Sequence, residues 1–315
     1  MLFELSGEHP DLPFAELECV GRVIDRKPQV AVAECPEPGA TARLALSHVV
    51  MEYLGECSAA AFALRELLRD LGIATDRPFA GRAKKIYGTA MDASQLDIER
   101  LIGTMIDGPV SLSRPEEEYR VVCSGDRCYV GKVIRRIDRG DFAFRNPMRR
   151  PFFHPGVMMP VTARALVNLS LVERGDLLFD PFCGTGGVLL EARLVGARVL
   201  GSDAEEAMIA GSTTNLPGAD LFLADATAMP VRDNAIDAVV TDLPYGQSVR
   251  IRAATMERLY ARSLAEIRRV LKEGRRAVVV THQEIPAIAE EYFEITGIFR
   301  QRVHKSLTRR IMVLQ

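Results

Sequence analysis

The chain has 315 residues, 48% of them hydrophobic and 26% charged, with a formal net charge of −2. That is enough apolar material for two domains with separate cores, and too ordinary a charge fraction for wholesale disorder. No apolar run approaches the ~20 residues that cross a bilayer. The acidic start MLFELSGEHPDLPFAELE lacks a basic region followed by an apolar stretch, so a cytoplasmic location without a membrane partner is expected. Cys19, Cys35, Cys57, Cys123, Cys128 and Cys183 form no CxxC pair and no zinc-spaced cluster, so no metal site is expected. Cys123 and Cys128 can face each other across a hairpin as reduced thiols.

In chain order, Phe14–Val20 has helical periodicity with Asp11 as its cap, and Gln29–Glu34 alternates like a strand. Ser58 to Leu71 reads as a helix capped by Ser58 and ended by Gly72. Phe79–Ile86 is a strand carrying Arg82, Lys84 and Lys85, and a helix follows from Ser94 to Met105. Tyr119–Ser124 and Cys128–Ile137 flank Gly125-Asp126, a hairpin signal. Between Arg127 and Arg150 eight cations (Arg127, Lys132, Arg135, Arg136, Arg139, Arg145, Arg149, Arg150) outnumber Asp138 and Asp141. Such a run is either a nucleic-acid face or a solvated strand. The Pro- and Arg-rich segment 145–160 has no period and reads as a linker.

Beyond Val161 short apolar strands alternate with helices: Leu177–Phe179, Arg198–Ser202, Asp220–Ala224, Ala238–Thr241 and Ala277–Thr281, separated by Gly187–Val195, Ala204–Asn215 and Thr255–Leu271. That alternation predicts an α/β domain with a mostly parallel sheet.

Four motifs fall at the predicted strand ends. Asp180-Pro181-Phe182-Cys183-Gly184-Thr185-Gly186-Gly187 is a Gly-rich turn into a helix, where the backbone can approach a ligand closely. It lacks both the Lys of a phosphate loop and the G-x-G-x-x-G spacing. Asp203 can take ribose hydroxyls or cap the next helix. Asp225 with Ala226 can bracket an adenine edge or simply form a turn. Asp242-Leu243-Pro244-Tyr245-Gly246 is the most specific. A carboxylate and a carbonyl in a Pro-fixed turn can accept both hydrogens of an exocyclic amine, and the adjacent aromatic can stack on its base.

Together DPFCGTGG, SD, DA and DLPYG resemble the amino-methyltransferase branch of the Rossmann-like methyltransferases, whose last motif is [DN]-P-P-[YFW]. Leu243 departs from that pattern, and Asp242 in place of Asn is more similar to guanine-N2 than to adenine-N6 enzymes. Residues 46–144 resemble a THUMP RNA-binding domain, through Val110-Ser111-Leu112-Ser113-Arg114-Pro115 and the basic strand at Arg82, Lys84 and Lys85. Residues 1–45 then correspond to the accompanying ferredoxin-like part, 145–160 to the linker and 161–315 to the methyltransferase domain with a seven-stranded sheet. The segment RRPFFHPGVMMP and the tail from His304 through Lys305 and Ser306 to Arg309 resemble the archaeal tRNA guanine-10 N2-methyltransferases. The tail is either a further RNA contact or a charged edge strand.

That resemblance implies S-adenosylmethionine as cofactor, tRNA as partner, and transfer of one or two methyl groups to a guanosine N2. It leaves open a different RNA guanosine or a non-catalytic RNA-binding factor, and also a small activating subunit or a homo-oligomer. It implies a cofactor site of Asp180, Phe182, Cys183, Gly184, Thr185, Gly186, Asp203, Asp225 and Ala226. Asp242, Pro244 and Tyr245 would be catalytic. Arg82, Lys84, Lys85, Arg145, Arg149 and Arg150 would bind RNA.

Overall fold

The structure is a computed structural model that describes residues 1–245, 253–304 and 307–315. Gly246 of the fourth motif and Lys305 and Ser306 of the tail lie outside the described residues. The chain divides into two compact units, Met1–Asp138 and Arg139–Gln315. No helix among the described residues is long and apolar enough to cross a membrane.

The first unit contains β1 (Leu2–Leu5), α1 (Leu12–Leu17), β2 (Arg22–Lys27), β3 (Val30–Glu34), β4 (Ser47–Ser58), α2 (Ala61–Leu71), β5 (Phe79–Lys85), α3 (Gln95–Met105), β6 (Glu117–Ser124) and β7 (Arg127–Arg136). Its strands form one sheet in the order β2-β3-β1-β4-β7-β6-β5, so the segment before residue 45 shares its sheet with the strands that follow. Leu64 and Leu68 of α2 and Ile98 and Ile102 of α3, each pair four apart, pack with Phe79, Tyr119 and Val121 into an apolar core. Gly72 ends α2 in the left-handed region at φ 53°, as the sequence predicts.

Two caps differ from expectation. Ser58 is the last residue of β4, because the cross-strand ladder to β7 continues through it to Arg127. The helix starts instead at Ala61, whose N–H donates to Asp92 Oδ1 at 3.0 Å. Asp11 sits at the start of α1 but its side chain makes no capping bond, and His9 Nδ1 accepts the N–H groups of Asp11 and Leu12 instead. Ser94 does cap α3, accepting the Asp97 N–H at 3.2 Å. Cys123 and Cys128 are opposite each other in the β6–β7 ladder, buried and unbridged.

The expected basic face is largely neutralised. Arg127 pairs with Glu56, Lys132 with Glu117 at 2.7 Å, and Arg136 with Glu118. The acids come from neighbouring strands, a cross-strand pattern that a linear count of charges does not contain.

The second unit contains α4 (Arg139–Phe144), α5 (Pro160–Leu169), β8 (Leu177–Asp180), α6 (Gly187–Leu194), β9 (Arg198–Asp203), α7 (Glu206–Asn215), β10 (Asp220–Leu223), β11 (Ile236–Asp242), α8 (Ala253–Val270), β12 (Leu271–Thr281), α9 (Pro286–Ala289), β13 (Ile295–His304) and β14 (Leu307–Leu314). Its seven-stranded sheet runs β10-β9-β8-β11-β12-β14-β13. Strands β8 to β12 are mutually parallel, and β14 lies antiparallel between β12 and the edge strand β13. The chain order reverses between β8 and β11. Crevices off the carboxyl ends of strands at such a switch point are where open α/β sheets bind ligands.

Segment 145–160, expected as a linker, clusters with this unit. Arg145 and Arg164 both pair with the fully buried Glu191 of α6, at 2.7 and 2.8 Å. Further on, Asn215 of α7 clasps Phe152 by accepting its N–H at 3.0 Å and donating to its carbonyl at 2.9 Å. The aromatic ring fills the space over Gly211, where a Cβ would approach it to 2.1 Å.

Candidate active site

Four aspartates stand at or just past the carboxyl ends of adjacent strands. Along the sheet they run Asp225 after β10, Asp203 at the end of β9, Asp180 at the end of β8 and Asp242 at the end of β11. Short apolar strands place them there: Val239 and Val240 of β11 and Leu178 and Phe179 of β8 are fully buried, and the first polar residues emerge where the sheet ends.

A cavity of about 290 Å³ opens between the ends of β8 and β11. It brings together Asp180, Phe182, Cys183, Gly184 and Thr185 of the first motif with Asp242, Pro244 and Tyr245 of the fourth. Asp203, Asp225, Ala226 and Gly186 are not part of its lining. The segment from His154 to Met158 forms another wall, which the sequence had placed in a linker.

The Gly-rich turn is held from several sides. Asp180 is buried, and its Oδ1 accepts the Thr241 hydroxyl at 2.7 Å and the Phe182 N–H at 3.1 Å. Burial pushes its carboxyl up to about 7, with the charges of Asp203 and Asp242 adding to the rise. Asp203 accepts the Gly184 N–H on one oxygen at 2.9 Å and the Glu205 N–H on the other at 3.0 Å, so it braces the Gly-rich turn and its own turn ahead of α7, without capping that helix. Ser212 donates to the Gly184 carbonyl, and Asn215 Nδ2 to the Thr185 carbonyl at 2.9 Å. Gly184 and Gly186 have φ of 48° and 78°, the left-handed region that favours glycine. Cys183 is buried with its N–H on the Ser202 carbonyl, and burial pushes its thiol up, which disfavours the thiolate at this wall position. Asp225 accepts the Thr227 N–H at 2.8 Å in a local turn, and Ala226 belongs to the apolar core.

In the fourth motif Leu243 has a clear role. Its N–H donates to the Val280 carbonyl at 2.8 Å, adding a bond beyond the last β11–β12 pair, and its side chain is buried in the core. A proline there has no N–H to give. This chain fixes the turn by a ladder bond and a buried side chain where the usual pattern uses a ring.

Both candidate acceptors carry a phenol. Tyr245 Oη donates to Asp242 Oδ1 at 2.7 Å, and Tyr260 Oη of α8 donates to the Pro244 carbonyl at 2.7 Å. Burial pushes the Asp242 carboxyl up to about 6, opposed by the bond from Tyr245 and the charge of Arg309. Arg309 of β14 is buried, and its Nε donates to Tyr245 Oη at 3.3 Å. His282, just past β12, lies against the Tyr245 ring at 4.9 Å between centroids, tilted 52°.

The cations expected to meet RNA are divided. Lys84 and Arg149 are exposed, Arg149 lying over the Phe144 ring at 5.9 Å. Lys85 is turned inward, donating to the carbonyls of Met91 and Ala93, and Arg82 donates to the Leu112 carbonyl at 3.0 Å. Arg145 serves Glu191, and Arg150 is half-buried with its guanidinium on the Arg145 carbonyl. Arg145 thus stitches its segment to the unit instead of lying open, because a buried carboxylate requires compensation, while Arg150 bonds within the segment. Of the tail, Arg309 faces the site, a third outcome beside RNA contact and edge strand.

Asn215, Tyr260, His282 and Arg309 were missed by sequence reasoning. A cation inside the apolar strand ending Ile311-Met312-Val313-Leu314 was the one available signal among them.

Residues 147–311 match the UPF0020 family, described as RMKL-like, methyltransferase domain. The tRNA (guanine(10)-N2)-dimethyltransferase of Methanothermobacter thermautotrophicus is 34% identical, covering 100% of this chain and 99% of its own. Its namesake from Methanocaldococcus jannaschii is 33% identical over 75% of this chain and 70% of its own. The crystal structure of TrmN from Thermus thermophilus shares the fold, with a TM-score of 0.56 at 21% identity over 100% of this chain and 98% of that one. The chain belongs to the tRNA (guanine(10)-N2)-dimethyltransferase family, and its second unit holds the methyltransferase domain.

Proposed function

We propose that this chain methylates the exocyclic N2 of a guanosine in tRNA, guanosine 10 by analogy with its relatives, using S-adenosylmethionine. The observation that carries the reading is the turn at the end of β11. There a carboxylate and a carbonyl, each fixed by a phenol, flank a cavity shared with the Gly-rich turn. The cavity wall fits the cofactor. It carries Asp180 and Asp242 and no Lys or Arg among the described residues, which suits a sulfonium and an ammonium and opposes a phosphate.

In this reading Asp180, Phe182, Cys183, Gly184, Thr185 and Gly186 form the floor under the methionine portion. Asp203 retains lone pairs for a ribose beyond the two backbone bonds it accepts, and Asp225 with Ala226 borders the adenine. The bound cofactor supplies an electrophilic methyl group. The guanine amine is a poor nucleophile because its lone pair is delocalised into the ring. Asp242 and the Pro244 carbonyl each have acceptor capacity beyond their phenol, so they can hold both amine hydrogens and stabilise the positive charge that develops. Tyr245 stacks on the base on the side away from His282. Asp242 must be ionised to do this, so methylation falls as pH drops through about 6. The first unit, read as the ferredoxin-like and THUMP region, binds tRNA, with exposed cations such as Lys84 on phosphates.

The test is to incubate the purified chain with S-adenosylmethionine and unmodified tRNA transcripts and to identify the nucleosides by mass spectrometry. N2-methylguanosine or N2,N2-dimethylguanosine at position 10 is expected. Methylated adenosine, or no methylated nucleoside despite cofactor binding, overturns the reading.

A further inference from the structure

We infer that Arg309 is a positioning residue for methyl transfer, acting through Tyr245 to hold both the stacking ring and the Asp242 carboxylate in place. The inference rests on the catalytic reading of Asp242 and Tyr245 above.

Successive side chains of a strand point to opposite faces. In β14 this sends Arg310 to the His282 carbonyl and Glu284, and Arg309 to the catalytic turn. Arg309 is 5% exposed. A guanidinium is not withdrawn from water without compensation, and here it heads an ordered chain. Arg309 Nε donates to the Tyr245 oxygen, and the Tyr245 hydroxyl donates to Asp242 Oδ1. A cation on the phenol oxygen makes its hydroxyl a stronger donor, and each bond in such a chain strengthens the next.

The geometry has two consequences. The Tyr245 ring is pinned at its far end and packed by His282, so its plane is set before a base arrives. One oxygen of Asp242 is oriented by the phenol, which aims the carboxylate instead of leaving it to rotate. Preorganisation of this kind counts because misplacement of an acceptor by about 1 Å costs roughly 100-fold in rate. Among the described residues, the other titratable groups around Asp242 are Asp180 from β8, Tyr260 from α8 and His282 just past β12, beside Tyr245. None of these is a fixed cation. Among the described residues, Arg309 is the group whose charge favours the ionised carboxylate.

The experiment uses the full chain in four forms: wild type, Arg309→Met, Arg309→Lys and Tyr245→Phe. Tyrosine labelled with 13C at Cζ gives a resonance identified as Tyr245 by its loss in Tyr245→Phe, and no substrate is needed to record it. That resonance is expected to move in Arg309→Met and to move back in Arg309→Lys. An unmoved resonance overturns the inference. With tRNA transcripts, Arg309→Met is expected to lower kcat roughly tenfold or more with KM for tRNA changed less than about threefold. Combining it with Tyr245→Phe is expected to add little, as for two residues in one network. The acid limb of the rate is expected to move to higher pH in Arg309→Met. A purely structural role would leave that limb in place, and fully multiplicative effects in the double variant would also overturn the inference. A moved resonance in a protein that methylates no guanosine upholds the contact and removes the catalytic reading instead.

Discussion

The acids within the strands of the first sheet and those at the strand ends of the second are held in opposite ways. In the first unit Glu4, Glu56, Glu117 and Glu118 lie within strands and are met by Arg120, Arg127, Lys132 and Arg136 from the next strand, their own strand or, for Glu4 and Arg120, across two intervening strands. Charge there closes on itself and serves the fold. In the second unit Asp180, Asp203, Asp225 and Asp242 stand at strand ends and accept hydrogen bonds from backbone N–H groups or hydroxyls. Neutral donors hold a carboxylate in place without cancelling its charge, and Asp180 and Asp242 present theirs to the cavity. The difference separates acids closed on a cation from acids held by neutral donors, whose charge the proposed function uses.

The sharpest way to break that distinction is Asp242→Ala. Transfer should fall by on the order of 100- to 1000-fold or more, the scale of losing one preorganised electrostatic contact. Calorimetry should find cofactor affinity within a few fold of wild type, because the proposed cofactor floor is a separate turn. Near-normal turnover would place Asp242 with the structural acids.

Leu243→Ala is next. It leaves the N–H to Val280 intact and removes a side chain from the core, so unfolding by denaturant should show a loss of about 2–5 kcal/mol. If stability is unchanged, the turn is held by the ladder bond alone.

Gly186→Ala probes the Gly-rich turn whose neighbouring residues line the cavity. The left-handed backbone costs a side chain about 1–2 kcal/mol, and its Cβ would meet Leu216 Cδ1 at 2.4 Å. A lower melting temperature together with weaker cofactor binding is expected. A change in only one of these would separate the turn's fold from its ligand.

These residues also show how far the sequence could be read. The strand ends were legible because a parallel sheet forces short apolar runs to finish at polar residues, and that placed Asp180, Asp203 and Asp242 correctly. The Gly-rich turn was legible because only glycine takes its backbone cheaply. Contacts made across the sheet were not. Nothing local to Arg309 indicates that its strand pairs beside β12, and nothing local to Asn215 indicates that it clasps Phe152. The basic run misled for the same reason. Counting charges along the chain shows Arg127, Lys132 and Arg136 but not the glutamates set opposite them.

The smallest effect tests the two sheets against each other through pH. Lys132 beside Glu117 holds that carboxyl below its usual range, with Thr75 and Tyr119 also donating to it. A depressed acid contributes stability above its unfolded pKa and loses it as pH falls through the folded value, so the first unit weakens on acidification. Asp180 has the opposite sign. Its carboxyl is raised to about 7, so its contribution is fully present below the unfolded value of about 4 and is lost as pH rises through about 7. Glu117→Gln should therefore reduce stability near neutral pH by less than about 1 kcal/mol, since Lys132 is partly solvated and surface pairs are weak. It should also flatten the acid side of the stability curve without touching cofactor binding. Asp180→Asn should flatten the curve between about pH 4 and 7, the window between the unfolded carboxyl and the raised one. Unfolding curves of both variants across pH read the two slopes separately. If both flatten the same side, the acids of the two sheets are not opposed in kind, and the division into fold-serving and site-serving carboxylates fails at its most sensitive point.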